Sequence, residues 1–128
     1  MQNENVQRKS KNNVKERSFY FSLSVIHFLK VLPKDYILQT IGRQLLRSAT
    51  SIGANIIEGQ AATSKKDFGN YYAIALKSAN ETKYWLALLK EETTVDLSEE
   101  LRKLLQEAYE LGNMLGASIL TLKGKRTF

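Results

Sequence analysis

The stretch Arg47-Ser48-Ala49-Thr50-Ser51-Ile52-Gly53-Ala54-Asn55-Ile56-Ile57-Glu58-Gly59 decides the fold of this chain. Ser48, Ser51, Asn55 and Glu58 recur at helical spacing, and directly beside them runs an apolar line of Leu38, Ile41, Leu45, Ala49, Ile52 and Ile56. Intervals of three and four residues put each set on one side of a helix. A solvated helix face normally carries Lys and Glu, but this one carries small polar side chains and one carboxylate. Such a stripe is expected to form a half-buried, hydrogen-bonded seam against a neighbouring helix.

Outward from that stretch the chain reads as four helices. Helix 1 is expected from about Val14 to Leu32, stopped by Pro33, and helix 2 from Lys34 or Tyr36 to Glu58, with Gly59 as its stop. After the linker Gln60-Ala61-Ala62-Thr63, Ser64 and Asp67 form a capping signal for helix 3, which runs from Lys65 to Glu92. Its stripe is Phe68, Tyr71, Tyr72, Ala75, Ala79, Leu86 and Leu89. Helix 4 opens near Asp96 or Ser98 and carries Leu97, Leu101, Leu104, Leu105, Ala108, Leu111, Leu115, Ile119 and Leu122. No segment alternates like a strand. The fold class is all-α, an antiparallel up-down-up-down four-helix bundle over residues 14–123, between a disordered basic tail (1–13) and a basic C-terminal tail (124–128).

Helix 1 carries more apolar surface than such a bundle needs. Phe21, Val25, Phe28, Leu29 and Leu32 make one line, and Phe19, Leu23 and Ile26 make another, pointing well away from the first. Tyr84 and Trp85 add bulk outside the helix 3 stripe. An apolar surface left outside the bundle is most simply covered by another copy of the chain.

Composition narrows the function. The chain has 128 residues, enough for one domain with a real core, and no cysteine, which excludes disulfides and thiolate metal sites. His27 is the only histidine, so neither a metal ligand set nor a cofactor is expected. No apolar run reaches the ~20 residues of a membrane span, and residues 1–11 lack the apolar core of a signal peptide. The expectation is a cytoplasmic protein that does not engage a membrane. The net charge is +6, but residues 18–122 balance at eleven basic and eleven acidic groups. Within them, residues 30–90 carry a net of +5 and residues 91–122 a net of −5, so a folded bundle is expected to have a positive and a negative side.

Catalytic constellations are missing. Ser51 has no His or Lys spaced to activate it. Glu58 and Glu81 lie too far apart along antiparallel helices to form an acid pair, and no Glu-x-x-His motif is present. Arg47 is instead expected to face Glu81 across helices 2 and 3. Arg43, Arg47, Lys65, Lys66 and Lys77 are the candidate nucleic-acid-binding residues, suited to phosphate rather than to base readout. Ser51, Asn55, Glu58, Ser78 and Glu81 are assigned to the structural polar seam.

The quoted stretch resembles the pattern Arg-x-Ala-x-Ser-Ile-Pro-x-Asn-Ile-Ala-Glu-Gly. With Ser64-Lys65-Lys66-Asp67-Phe68 and Ala75-Leu76-Lys77-Ser78-Ala79-Asn80-Glu81, it resembles the bacterial four-helix-bundle family of proteins encoded in intervening sequences of 23S ribosomal RNA genes. That family includes the accessory variability protein of diversity-generating retroelements. Gly53 departs from the family's usual proline and Ile57 from its usual alanine. The resemblance implies a homopentamer without established enzymatic activity. It also implies a basic surface for RNA or DNA, with a reverse transcriptase or another nucleoprotein as a candidate partner. The alternative is a protein–protein scaffold or adaptor that binds no nucleic acid directly.

Overall fold

The computed structural model describes residues 13–127. Four helices follow one another: α1 Val14–Val31, α2 Tyr36–Gln60, α3 Lys65–Glu92 and α4 Val95–Thr127. Each packs on its neighbours in sequence, and α1 closes on α4. The expected all-α four-helix bundle is what the chain forms. Its alternating direction shows in the contacts. Ser51 meets Ser78 while Ser48 meets Thr82, so numbers rise on α2 as they fall on α3. Arg17 of α1 reaches Glu107 and Glu110 of α4.

The helices begin where short polar side chains supply the missing acceptors. Asn13 accepts from the Glu16 N–H, Asp35 from Leu38 and Ser64 from Asp67, at 3.1, 2.9 and 3.1 Å. The Ser64–Asp67 signal is thus borne out. Asn13, assigned to the N-terminal tail, is the α1 cap, and residues 1–12 of that tail lie outside the described residues. Asp96 and Ser98 do not cap α4, which already includes Val95. The backbone of α4 runs on to Thr127, so residues 124–127 continue the helix rather than form a separate tail.

The core follows the apolar stripes. Phe21, Val25 and Phe28 of α1, Leu45, Ile52 and Ile56 of α2, Leu86 and Leu89 of α3, and Leu101, Leu111 and Leu115 of α4 are all buried. Phe19 remains 56% exposed, and Leu23 and Ile26 are only partly covered. The second apolar line of α1 is therefore left outside the core, as expected.

Gly59 is not a helix stop. The helix continues through it to Gln60, and no described residue has a positive φ. Its role is close approach: a Cβ there would lie 2.8 Å from the Tyr72 ring. Gly53 acts in the same way between α1 and α2, where a Cβ would lie 3.1 Å from Ser18 Oγ. α2 is unbroken at this position, where the family pattern has proline.

Candidate functional site

The polar stripe of α2 meets α3 in a ladder of hydroxyls. Ser78 Oγ donates to Ser51 Oγ at 3.0 Å, and Asn55 Nδ2 donates to Ser51 Oγ at 3.0 Å and to the Ser51 carbonyl at 2.8 Å. One turn away, Thr82 Oγ1 lies 2.9 Å from Ser48 Oγ and 2.7 Å from the Ser78 carbonyl. Thr82 is wholly buried and Ser48 nearly so, so these contacts satisfy groups that would be costly to bury alone. Thr82 was missed because a lone threonine in an apolar stripe gives no sequence signal until its partner helix is known. Glu58 is a correction: it is exposed and takes no part in the ladder. It lies in the last turn of α2 with its side chain toward solvent.

Glu81 sits at the outer edge of the ladder. It accepts from the Trp85 indole N–H at 2.9 Å and lies 3.7 Å from Arg47. The expected Arg47–Glu81 pairing is therefore present, although Arg47 is 74% exposed, and such a pair contributes little to stability. The ladder itself holds hydroxyls and an amide, and it fastens α2 to α3. Among the described residues, no cluster of three or more His, Asp or Glu side chains is placed to hold a metal ion. Likewise, no described helix is long and apolar enough to cross a membrane.

Arg43, Arg47, Lys65, Lys66 and Lys77 are all exposed, but they do not form one patch. Arg43 donates to Thr40 and Arg47 to Gln44, both on α2. Lys65 and Lys66 precede Glu81, the contact of Arg47, by sixteen and fifteen residues, which is about 22–24 Å along a helix. Lys66 and Lys77 instead join a line on the outer side of α3: Lys66, Asn70, Ala73, Lys77, Asn80 and Tyr84, spaced by threes and fours. Facing it on α4 is a second such line: Tyr109, Asn113, Gly116, Leu120 and Lys123. Lys83 joins the two, with Nζ 4.4 Å from the Tyr109 ring centroid and 3.2 Å from Asn80 Oδ1. A Cβ on Gly112 would lie 3.2 Å from that same Nζ.

Neither line contains an acid. The carboxylates of α4 lie elsewhere. Glu100 and Glu107 line a 350 Å³ cavity between α1 and α4 that also holds Arg17. Arg17 grips Glu107 through Nε and Nη2, and Nη2 also reaches Glu110 at 2.7 Å. These bonds hold the Glu110 carboxyl below the usual carboxylate range, and the same two glutamates raise the affinity of Arg17 for its proton. Glu99 pairs with Arg102. The division of charge seen in sequence thus does not separate α2 and α3 from α4. It runs along α4, whose α1 side is acidic and whose α3 side bears no acid in the facing line. That side could not be read before the α3–α4 register was known, since Tyr109 and Lys83 are twenty-six residues apart.

A solved structure from Bacteroides thetaiotaomicron, described as a protein of unknown function from the S23 ribosomal protein family, is 39% identical to the chain, with a TM-score of 0.71. The match covers 83% of this chain and 97% of that one. No curated protein matches. The family model described as 23S rRNA-intervening sequence protein matches residues 10–117. On that match, together with a four-helix bundle shared at 39% identity, the chain belongs to the 23S rRNA-intervening sequence protein family.

Proposed function

We propose that this protein is a non-enzymatic, self-associating helical bundle that binds the backbone of RNA or DNA, alone or within a nucleoprotein, through a basic surface. The observation that carries this reading is the arrangement of charge on α3 and α4. Lys66, Lys77 and Lys83 stand along or beside two outer lines that hold no acid, while Glu107 and Glu110 are engaged by Arg17 and Glu99 by Arg102. A surface of that kind attracts phosphate. Arg43, Arg47 and Lys65 add charge at the edges.

Fluorescence anisotropy with labelled RNA and DNA at two salt concentrations tests the reading. Binding is expected at low salt and is expected to weaken steeply as salt rises, because each neutralised phosphate releases counterions. Lys66→Glu and Arg43→Glu are expected to lower affinity for every sequence alike. Absence of binding at low salt would favour the second reading, a protein–protein scaffold indifferent to these charge reversals.

Self-association is supported by the opposite side of the bundle. Phe19, Leu46 and Ile57 are 56%, 38% and 50% exposed on α1 and α2, beside the half-covered Leu23 and Ile26. An apolar surface of this extent fits contact between copies, and the family resemblance makes a homopentamer the state to look for. The expected result is an oligomer by light scattering at micromolar concentration. Phe19→Glu combined with Ile26→Glu is expected to give monomers with unchanged helical circular dichroism. A wild-type monomer would refute self-association.

A further inference from the structure

We propose that the outer side of the α3–α4 pair is a track for single-stranded nucleic acid, with bases stacked on Tyr109 and Tyr84 and the backbone neutralised by Lys66, Lys77 and Lys83. This rests on the proposed function and adds the place and the form of the ligand. The first ground is exposed aromatic surface among lysines. Tyr109 is 51% and Tyr84 59% exposed, far more than rings placed there for packing. Both are braced. Lys83 sits against the Tyr109 ring, and Trp85 meets Tyr84 edge-on at 5.1 Å between centroids. A braced ring loses little freedom when a base stacks on it, and every base has a face to stack.

The second ground is access. A Cβ built on Gly116 meets nothing within 4 Å, so the α4 backbone is open in the middle of the track. Toward the Lys66 end, a cleft of about 370 Å³ is lined by Lys66, Gly69, Asn70, Ala73, Ile119 and Leu122, with Lys123 at its rim. This lies within the range of small-ligand clefts, about 300–1,000 Å³. From Asn70 to Lys83 the track runs about 20 Å. The third ground is electrostatic. Neither facing line holds an acid; the carboxylate one turn from Lys77 and Tyr84, Glu81, is turned to Arg47 and the Trp85 indole, so the lysines of the track can attract phosphate. Bases in a duplex are already stacked on one another and cannot use the rings, so a single strand fits this surface and a duplex does not.

The test uses the full-length protein and a labelled oligonucleotide of about a dozen nucleotides. It is supplied as single-stranded RNA, as single-stranded DNA and as a duplex, at two salt concentrations. The single strand is expected to bind more tightly than the duplex, and the RNA and DNA arms identify the source. Tyr109→Ala and Tyr84→Ala are each expected to weaken single-strand binding by about tenfold or more with no change in salt slope. Tyr109→Phe, which keeps the ring, is expected to retain wild-type affinity. Lys77→Gln is expected to reduce the salt slope by about one. Circular dichroism checks that each variant is folded. Duplex binding as tight as single-strand binding, or wild-type affinity in both alanine variants, would overturn the track. So would polyglutamate competing as well as unlabelled oligonucleotide. If binding persists in the alanine variants and is lost on charge reversal of Arg43 and Arg47, the proposed function stands and the track falls. If the wild type binds no nucleic acid at low salt, both fall.

Discussion

Gly59→Leu is expected to destabilise the protein by about 3 kcal/mol, at the upper end of what overpacking costs, and Gly59→Ala by about 1 kcal/mol. The cause is steric. A Cβ at this position would lie 2.8 Å from Tyr72 Cδ1, 3.0 Å from Cε1 and 3.2 Å from Tyr71 Cβ. Tyr72 cannot swing aside freely. It is 3% exposed, stacked on Phe68 at 4.2 Å, and its hydroxyl accepts from Gln60 Nε2 at 3.1 Å. Glycine to alanine within a helix ordinarily gains up to about 1 kcal/mol, which offsets part of the alanine penalty but little of the leucine one. Thermal unfolding at one fixed protein concentration reads the difference, since oligomerisation makes the midpoint concentration-dependent. A drop of about 3–5 °C per kcal/mol is expected for a chain of this size. If Gly59→Ala were instead more stable than wild type, Tyr72 would have to yield easily, and the role of Gly59 as a contact point between α2 and α3 would be wrong.

Gly59 also shows where sequence reasoning reaches and where it stops. A glycine after an amphipathic run ordinarily signals a helix end, because it adopts a left-handed conformation without strain. Here the residue that needs glycine's small size is Tyr72, thirteen positions away, and only the register of two helices makes the contact. By contrast, the Ser64 cap and the apolar stripes are local patterns, and both were legible. So was the surplus apolar line of α1, since a line diverging from the core stripe is visible in periodicity alone. The hydroxyl ladder was half legible: Ser51, Asn55 and Ser78 follow from polarity and spacing, whereas Thr82 sits where an apolar residue would serve as well. The candidate site was legible in its lysines and illegible in its tyrosines. Lys66 and Lys77 stand out in sequence as part of a net positive stretch, but Tyr109 lies within residues 91–122, whose net charge is −5, and becomes part of a basic surface only once α4 is rotated against α3.

That rotation gives the bundle two unlike sides. The α1–α2 side presents Phe19, Leu46 and Ile57, and the α3–α4 side presents lysine, asparagine and tyrosine with Leu120 among them. In a bundle where each helix packs on its sequence neighbours and α1 closes on α4, these sides lie opposite one another. Contact between copies through the first would leave the second accessible. The two activities proposed for the chain therefore need not compete for surface, and charge reversal at Lys66 should leave the oligomeric state unchanged.

Arg17→Ala is expected to cost about 2 kcal/mol at neutral pH, and the loss should shrink as pH falls. Arg17 is only 14% exposed in its side chain and binds two glutamates, Glu107 in a two-pronged contact and Glu110 through Nη2. Removing one partner from a buried ionic group costs about 3–5 kcal/mol. The glutamates here are 30% and 44% exposed, so water screens them and the figure is discounted. Without the guanidinium, two carboxylates one helical turn apart repel each other, and α1 loses its strongest polar tie to α4. The pH dependence follows from Glu110, whose affinity for a proton is lowered first by Arg17 and then by Gln106, which donates at 3.1 Å. A carboxyl depressed in the folded state contributes stability above its unfolded value of about 4.3, and that contribution is lost as pH falls through the folded value. In Arg17→Ala the contribution is absent from the start, and protonation relieves the repulsion between Glu107 and Glu110. Urea denaturation should therefore show the widest gap between wild type and variant above about pH 5 and a narrower gap toward pH 3. Adding Glu107→Gln and Glu110→Gln to Arg17→Ala should recover part of the loss at neutral pH, because the repelling charges are then gone. A gap that stays constant with pH, or a triple variant no better than Arg17→Ala, would mean that Arg17 holds α1 to α4 by packing of its aliphatic stem rather than by its charge.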